Sequence, residues 1–207
     1  MSSPCADEAP PCLALREGWA SRDGASQSRR GRELLSELAA EHGLNCPVAG
    51  WSPRGAGPPR HPGMPPGLHA SLSHRDGRVV AALADCPLGL DLEHARPRHR
   101  RGLAARVDYL PEAWIRRRIL EAEAPLTAFY RAWTLHEALF KLESLSGRPP
   151  ATLFATRLET LTAAKGPRAW RWQDNAWTLS LCAYAPELRI VAPPALMPAP
   201  LTPASLV

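Results

Sequence analysis

The sequence lacks an apolar stretch long enough to cross a membrane, because no run approaches the roughly 20 residues that a spanning helix needs. Residues 1–11 are polar, acidic and interrupted by proline, unlike a secretory signal. The five cysteines include no C-x-x-C pair, and their odd number argues against a disulfide framework or a zinc site. We therefore expect a cytoplasmic protein with reduced thiols and no membrane contact.

The composition also lacks the biases of disordered and fibrous chains, since 45% of the residues are hydrophobic and 22% are charged. A length of 207 residues suits one substantial core or two small lobes. The net charge of +5 favours an anionic partner such as phosphate, nucleic acid or an acidic protein surface. The 23 prolines concentrate in residues 47–66 and 193–203, which are predicted to be a linker and a tail.

Hydrophobic periodicity predicts an alternation of helices and short strands. A helix is expected over 29–42, with Arg29, Arg30 and Arg32 in its first turn, where they suit either a bound anion or plain solvation. Strands at 68–73, 78–84 and 88–93 are expected to form an antiparallel meander. The remaining predicted elements are helices at 112–122 and 126–144, the second stopped by Ser146-Gly147, and strands at 153–158, 169–173, 177–184 and 188–191.

This pattern predicts an α+β fold of two similar lobes, each with helices packed on a small antiparallel sheet. The expected division is a flexible N-terminal segment (1–20), an N-terminal lobe (21–87), a C-terminal lobe with the metal site (88–192) and a proline-rich tail (193–207). A cleft inside one chain would make a monomer sufficient.

Residues 88–93, Leu-Gly-Leu-Asp-Leu-Glu, alternate apolar and polar positions. The two-residue period of a strand puts Asp91 and Glu93 on one face, about 7 Å apart, where they repel each other unless a cation lies between them. Mg²⁺ suits the pair because it prefers hard oxygen ligands and completes its shell with phosphate and water. The alternative is an edge strand with a solvated acidic face.

Two further segments carry chemistry. Glu137 and Lys141 lie four residues apart on a predicted helix, so Glu137 can supply a third carboxylate or a base while Lys141 contacts a phosphate. A surface ion pair is the simpler alternative. Ser73 and His74 end a predicted strand and suit either a phosphate or a turn cap, whereas the absence of a G-x-S-x-G elbow disfavours a Ser–His nucleophile.

The order of these segments resembles the 4′-phosphopantetheinyl transferases of the Sfp-like type. The resemblance covers roughly residues 22–184, and its specific part is Gly-Leu-Asp-Leu-Glu at 89–93 with Trp-Thr-Leu-His-Glu-Ala-Leu-Phe-Lys at 133–141. It implies a pseudo-dimeric α+β fold with coenzyme A and Mg²⁺ in the cleft between the lobes. The implied reaction transfers 4′-phosphopantetheine from coenzyme A to a serine of an acyl or peptidyl carrier protein and releases 3′,5′-ADP.

Applied residue by residue, the resemblance implies that Asp91, Glu93 and Glu137 surround Mg²⁺. Glu137 would also accept the serine proton, and Lys141 would contact the phosphate under attack. The rest of coenzyme A would be held by the other matched residues, namely Ser73, His74, Arg60, Arg22, Arg29 and Arg30. His136 replaces the lysine usual in these enzymes, so one charge at the site either varies with pH or, if the imidazole packs at the helix edge, is absent.

The carrier proteins implied by the resemblance are acidic around the modified serine, so basic residues at 96–106 and 116–118 are expected to dock them. A metal-dependent nuclease is the second hypothesis, since it uses carboxylates and the isoelectric point near 9.3 suits nucleic acid. No nucleic-acid-binding motif accompanies it. A non-catalytic basic interaction protein is the third, and it leaves the acidic positions unexplained. The sequence therefore favours the transferase, with a carrier protein and coenzyme A rather than nucleic acid as partners.

Overall fold

A computed structural model of the protein describes residues 11–145 and 149–207. The strands are β1 (Cys12–Trp19), β2 (His69–Arg75), β3 (Arg78–Ala84), β4 (Leu88–His94), β5 (Arg168–Asp174), β6 (Trp177–Ala183), β7 (Arg189–Val191) and β8 (Ala199–Pro200). The α-helices are α1 (Gly24–Glu41), α2 (Leu103–Val107), α3 (Ala113–Glu121) and α4 (Pro125–Glu143). The predicted α+β class is confirmed. Within the described ranges, no helix has the length and apolar character needed to span a membrane.

The strands form two four-stranded sheets, in the orders β2-β3-β1-β7 and β4-β6-β5-β8. All pairings are antiparallel except that of β1 with β7. The same succession, strand, α-helix, strand, strand, builds the main part of each sheet: β1, α1, β2 and β3 in the first, and β4, α4, β5 and β6 in the second. In both sheets, the last strand of the succession, β3 or β6, lies between the other two strands of that succession.

The elements stack in four layers, with α1 outside the first sheet and α4 outside the second. Strand β3 shows why, since Val79 and Ala81 pack with α1 while Val80 and Ala82 pack against the second sheet. A strand buried on both faces has an apolar residue at nearly every position, as Arg-Val-Val-Ala-Ala-Leu-Ala does here. The inner faces of the two sheets thus share one core.

Helix α1 begins at Gly24, earlier than predicted, because Asp23 caps it. The Asp23 carboxylate accepts a hydrogen bond of 2.8 Å from the backbone N–H of Ser26, as N-cap residues do. Arg29, Arg30 and Arg32 therefore lie in the second and third turns. The expectation that they occupy the first turn is wrong, and with it the argument for an anion at that position.

The predicted meander is only half right. Strands β2 and β3 form the expected hairpin, but β4 leaves for the second sheet and pairs with β6, because its leucines fill the core between the sheets. The predicted strand at 153–158 is instead replaced by short 3₁₀ turns, Leu153–Ala155 and Leu158–Thr162. Leu158 and Leu161 are buried at a spacing of three, which suits a 3₁₀ turn.

The chain ends take part in the sheets. Residues 12–19 form β1, beside the central strand β3, so the flexible segment predicted for 1–20 is wrong there; residues 1–10 lie outside the described part. Strand β7 joins the first sheet although it falls within the predicted C-terminal lobe. The tail buries Leu196 and Leu206. The predicted stop of the last helix, Ser146-Gly147, also lies outside the described residues.

Gly89 allows α4 to lie directly on β4. A Cβ atom at this position would overlap the carbonyl oxygen of Ala138 and lie 2.5 Å from the backbone nitrogen of Leu142. No larger residue fits between the strand and the helix. The residues that flank this contact on the helix, Glu137 and Lys141, are thereby brought to β4.

Replacement of Gly89 by alanine should lower the free energy of unfolding by about 1–3 kcal/mol, because the added methyl group must push backbone apart. Urea denaturation measures this loss. Gly31→Ala is the matched control: its added methyl would meet side chains rather than backbone, Leu72 at 3.1 Å and Val79 at 3.5 Å, and alanine favours helix. Equal stability of Gly89→Ala and wild type would contradict the close approach.

Candidate functional site

Three carboxylates meet between β4 and α4, and we call them the carboxylate cluster: Asp91, Glu93 and Glu137. Each offers an oxygen atom, and these atoms all lie within 4.8 Å of one another. Asp91 and Glu93 are two residues apart on β4 and share its face toward α4, as the period of a strand requires. The predicted metal ligands are thus brought together.

Asp91 is the best-held member of the cluster. Its Oδ1 atom accepts hydrogen bonds from Ser73 Oγ at 2.9 Å and from Lys141 Nζ at 2.7 Å. Lys141 Nζ also donates to the carbonyl oxygen of Leu90, at 2.8 Å. The Oδ2 atom is buried and finds no hydrogen-bond partner among the described residues. A buried, unsatisfied carboxylate oxygen beside two further carboxylates fits a divalent cation.

Glu93 contacts a second basic residue, Arg75, whose Nε atom lies 3.0 Å from Glu93 Oε2. Arg75 follows Ser73 by two positions on β2, as Glu93 follows Asp91 on β4. Two side-chain contacts in matched register therefore join these strands, which belong to different sheets and share no backbone ladder.

The two glutamates of the cluster hold protons more strongly than free carboxylates do. Burial and the negative charge of Asp91 raise the pKa of Glu93 to about 7, although the nearby Arg75 opposes this shift. Burial and Asp91 likewise raise the pKa of Glu137, against the opposing charge of Lys141. Near neutral pH, ionisation of both glutamates is favoured only when a cation compensates their charge.

A cavity of about 430 Å³ lies beside Lys141 and extends towards α1. We call it the α1–α4 cavity; its lining includes Arg54, Leu72, His74, Leu88, Phe140 and Lys141. Burial lowers the pKa of His74, and the positive charges of Arg54 and Lys141 lower it further. These cations give the cavity a positive potential that suits phosphate groups.

A second cavity, of about 300 Å³, is lined by Glu93 and Glu137. We call it the aromatic cavity, since half of its lining residues are Tyr109, Phe129, Tyr130, Trp133 and Phe154. Arg75 and Arg106 add positive charge to it. The carboxylate cluster and Lys141 together thus border both cavities, and a molecule in either one lies near the carboxylates.

The other residues predicted to bind coenzyme A are distributed differently. His74 lines the α1–α4 cavity, whereas the Ser73 hydroxyl donates to Asp91 within the cluster. Arg29 and Arg30 pair with Glu33, and Arg22 is exposed before α1. None of these three arginines lines the α1–α4 cavity.

Sequence reasoning missed Arg54 and chose Arg60 in the same proline-rich segment. Arg60 borders a separate cavity with His61 and Met64. Arg54 lies against Gly24, at the start of α1, and lines the α1–α4 cavity. Two arginines in an irregular segment carry no periodic signal, so only the folded path of the segment separates their roles.

His136 faces away from solvent. Its ring is fully buried near Trp133, and Nε2 donates to the carbonyl oxygen of Thr156 at 3.2 Å. Burial lowers the pKa of this imidazole, which keeps it neutral at physiological pH. Of the two roles considered for His136, the structure favours packing over charge.

No protein-family model matches the sequence, and no curated protein matches it.

Mg²⁺ should raise the melting temperature more at pH 8 than at pH 6. Metal binding requires ionised carboxylates, and the raised pKa values of Glu93 and Glu137 keep these two side chains more protonated at the lower pH. The raised pKa values mean that, without metal, stability falls as pH rises from the ordinary carboxylate range through about 7. Bound metal should offset this loss. Differential scanning fluorimetry measures both trends.

Asp91→Asn is the matched control for the thermal shift, since it preserves the shape of the side chain and removes its charge. This variant should lose the response to Mg²⁺ at both pH values. A shift of equal size in wild type and Asp91→Asn would place the metal elsewhere.

Proposed function

We propose that the protein transfers the 4′-phosphopantetheine group of coenzyme A to a serine of an acidic acyl or peptidyl carrier protein, with Mg²⁺ as cofactor and 3′,5′-ADP as the leaving product. One observation carries the proposal: Asp91, Glu93, Glu137 and Lys141, the charged residues of the two matched motifs, form one site between two cavities.

The fold supports the proposal through the repeated succession of strand, helix, strand and strand. We infer that the two successions are the lobes of a pseudo-dimer and that the α1–α4 cavity is the cleft between them. Arg54 and His74 reach this cavity from the first succession, and Leu88 and Lys141 from the second.

Coenzyme A would lie in the α1–α4 cavity, with its phosphates near Lys141 and its nucleotide end near His74 and Arg54. A cavity of this size holds part of a nucleotide-sized ligand. Mg²⁺ would be held by Asp91, Glu93 and Glu137, where it would neutralise charge on the pyrophosphate.

The reaction needs no enzyme nucleophile. The carrier serine Oγ forms a bond to the phosphorus atom that bears pantetheine, and the bond from that phosphorus to the leaving 3′,5′-ADP breaks. Glu137, in the ionised form that a bound cation favours, accepts the serine proton as general base. Lys141 stabilises the negative charge that develops on the phosphate oxygens.

The carrier would approach from the side of the aromatic cavity. His99 and Arg106 line this cavity, and Arg98, Arg100 and Arg101 are exposed in the same segment of the chain. The second expected docking segment is less free, because Arg116 donates to the Leu110 carbonyl oxygen and Arg118 to that of Ala204.

Incubation of the protein with coenzyme A, Mg²⁺ and a panel of apo carrier proteins should add the mass of one phosphopantetheine group to a carrier serine. Mass spectrometry detects the gain. Lys141→Met should slow transfer at least about a hundredfold, since it removes a preorganised charge from the transition state. Lys165→Met, at an exposed position outside both cavities, is the matched control and should be unaffected. Nuclease activity without any mass gain would refute the transferase.

Charge reversal of Arg98, Arg100 and Arg101 to glutamate should raise the KM for the carrier protein more than that for coenzyme A. Surface charges mainly steer an acidic partner, so the effect should fade at high salt. Steady-state kinetics at two ionic strengths measure it. The charge-matched control reverses three exposed basic residues elsewhere in the chain, Lys165, Arg168 and Arg189. Equal effects on both substrates would remove this surface from the docking face.

A further inference from the structure

We propose that Arg75 sets the affinity of the carboxylate cluster for its divalent metal ion, because it shares the Glu93 carboxylate with that ion. The inference rests on the metal site of the proposed function and adds a positioning residue to it. It concerns a side chain from the neighbouring sheet rather than one of the ligands.

The geometry singles out Arg75. Its Nε atom lies 3.0 Å from Glu93 Oε2, and 34% of its side chain is exposed against 10% for that of Glu93. The contact repeats, two positions along both strands, the hydrogen bond from Ser73 to Asp91. Arg75 is thus held beside the cluster by the fold and cannot shift along the strand independently of Ser73.

The charges of the cluster follow from these contacts. Lys141 pairs with Asp91 and Arg75 pairs with Glu93, so two of the three carboxylates already have a cationic partner. A guanidinium stays protonated at every pH that the protein meets. A divalent ion bound by the same carboxylates therefore meets a fixed like charge, and this repulsion weakens its binding.

Arg75 also has an opposing effect, since the ion pair orients the Glu93 side chain. We expect this contribution to be the smaller one, because Glu93 is buried on a strand covered by α4 and keeps little rotational freedom without Arg75. The repulsion involves a divalent charge at close range in a poorly solvated site. Removal of Arg75 should therefore tighten metal binding.

This arrangement couples metal to substrate. The negative pyrophosphate brings charge that attracts both Lys141 and the metal ion, so the two ligands bind better together than apart. With Arg75 present, the affinity for the metal ion alone is low, and tight binding of the ion requires the pyrophosphate. Without Arg75, the dependence should be smaller.

Calorimetric titration with Mn²⁺, a spectroscopically useful substitute for Mg²⁺, tests the inference without any carrier protein. Arg75→Gln should bind Mn²⁺ about tenfold more tightly than wild type, as expected for the loss of one nearby positive charge. Arg75→Lys keeps the charge and should restore the wild-type affinity. Arg106→Gln is the matched control: Arg106 lines the same cavity but makes none of the ion pairs found within the described ranges.

A purely structural role for Arg75 predicts the opposite sign, since a loosened Glu93 would bind metal more weakly. Unchanged or weaker Mn²⁺ binding by Arg75→Gln, with unchanged circular dichroism, would overturn the inference. The melting temperature of each variant, measured without metal, separates global destabilisation from a change in metal affinity. If Arg75→Gln is destabilised, the Mn²⁺ affinities of Arg75→Met and Arg75→Lys are compared instead.

The transfer assay separates failure of the inference from failure of the proposed function. Unchanged Mn²⁺ affinity in a protein that modifies a carrier overturns only the role of Arg75. Tighter binding in a protein that modifies no carrier supports that role and argues against the transferase. If neither wild type nor Arg75→Gln binds Mn²⁺, the inference fails together with the metal site.

Discussion

The direct contact of α4 with β4 at Gly89 is the constraint on which the candidate site depends. A strand and a helix normally stay apart by the thickness of their side chains, and here one missing Cβ atom lets the two backbones approach. The acidic face of β4 then lies under Glu137 and Lys141. A wider separation would leave three scattered and solvated carboxylates.

The second requirement is the alignment of β2 with β4 across the two sheets. Their contacts consist of side chains, Ser73 with Asp91 and Arg75 with Glu93, in place of backbone hydrogen bonds. Such contacts hold only while the leucines of β4 and the small apolar residues of β3 keep the inner sheet faces together. The chemistry of the site is therefore tied to the packing of the shared core.

Much of this was visible in the sequence. The alternation in residues 88–93 placed Asp91 and Glu93 on one strand face, and the spacing of Glu137 and Lys141 placed both on one helix. Their assembly was expected from the resemblance to a transferase family, because local periodicity says nothing about which strand a helix covers. The predicted start of α1, at residue 29, is wrong because Asp23 caps the helix and lets it begin before the run of arginines.

The sequence by itself determined the type of most elements and the residue types of the site, because side-chain alternation and helical spacing are local properties of the chain. Only the tertiary structure decided that β4 leaves its hairpin neighbours for the second sheet, that Arg54 lies at the α1–α4 cavity, and that Arg75 joins Glu93. Each of these depends on contacts between residues distant in sequence. Such contacts are selected by the burial of a common core, a property of the whole chain that no short segment specifies.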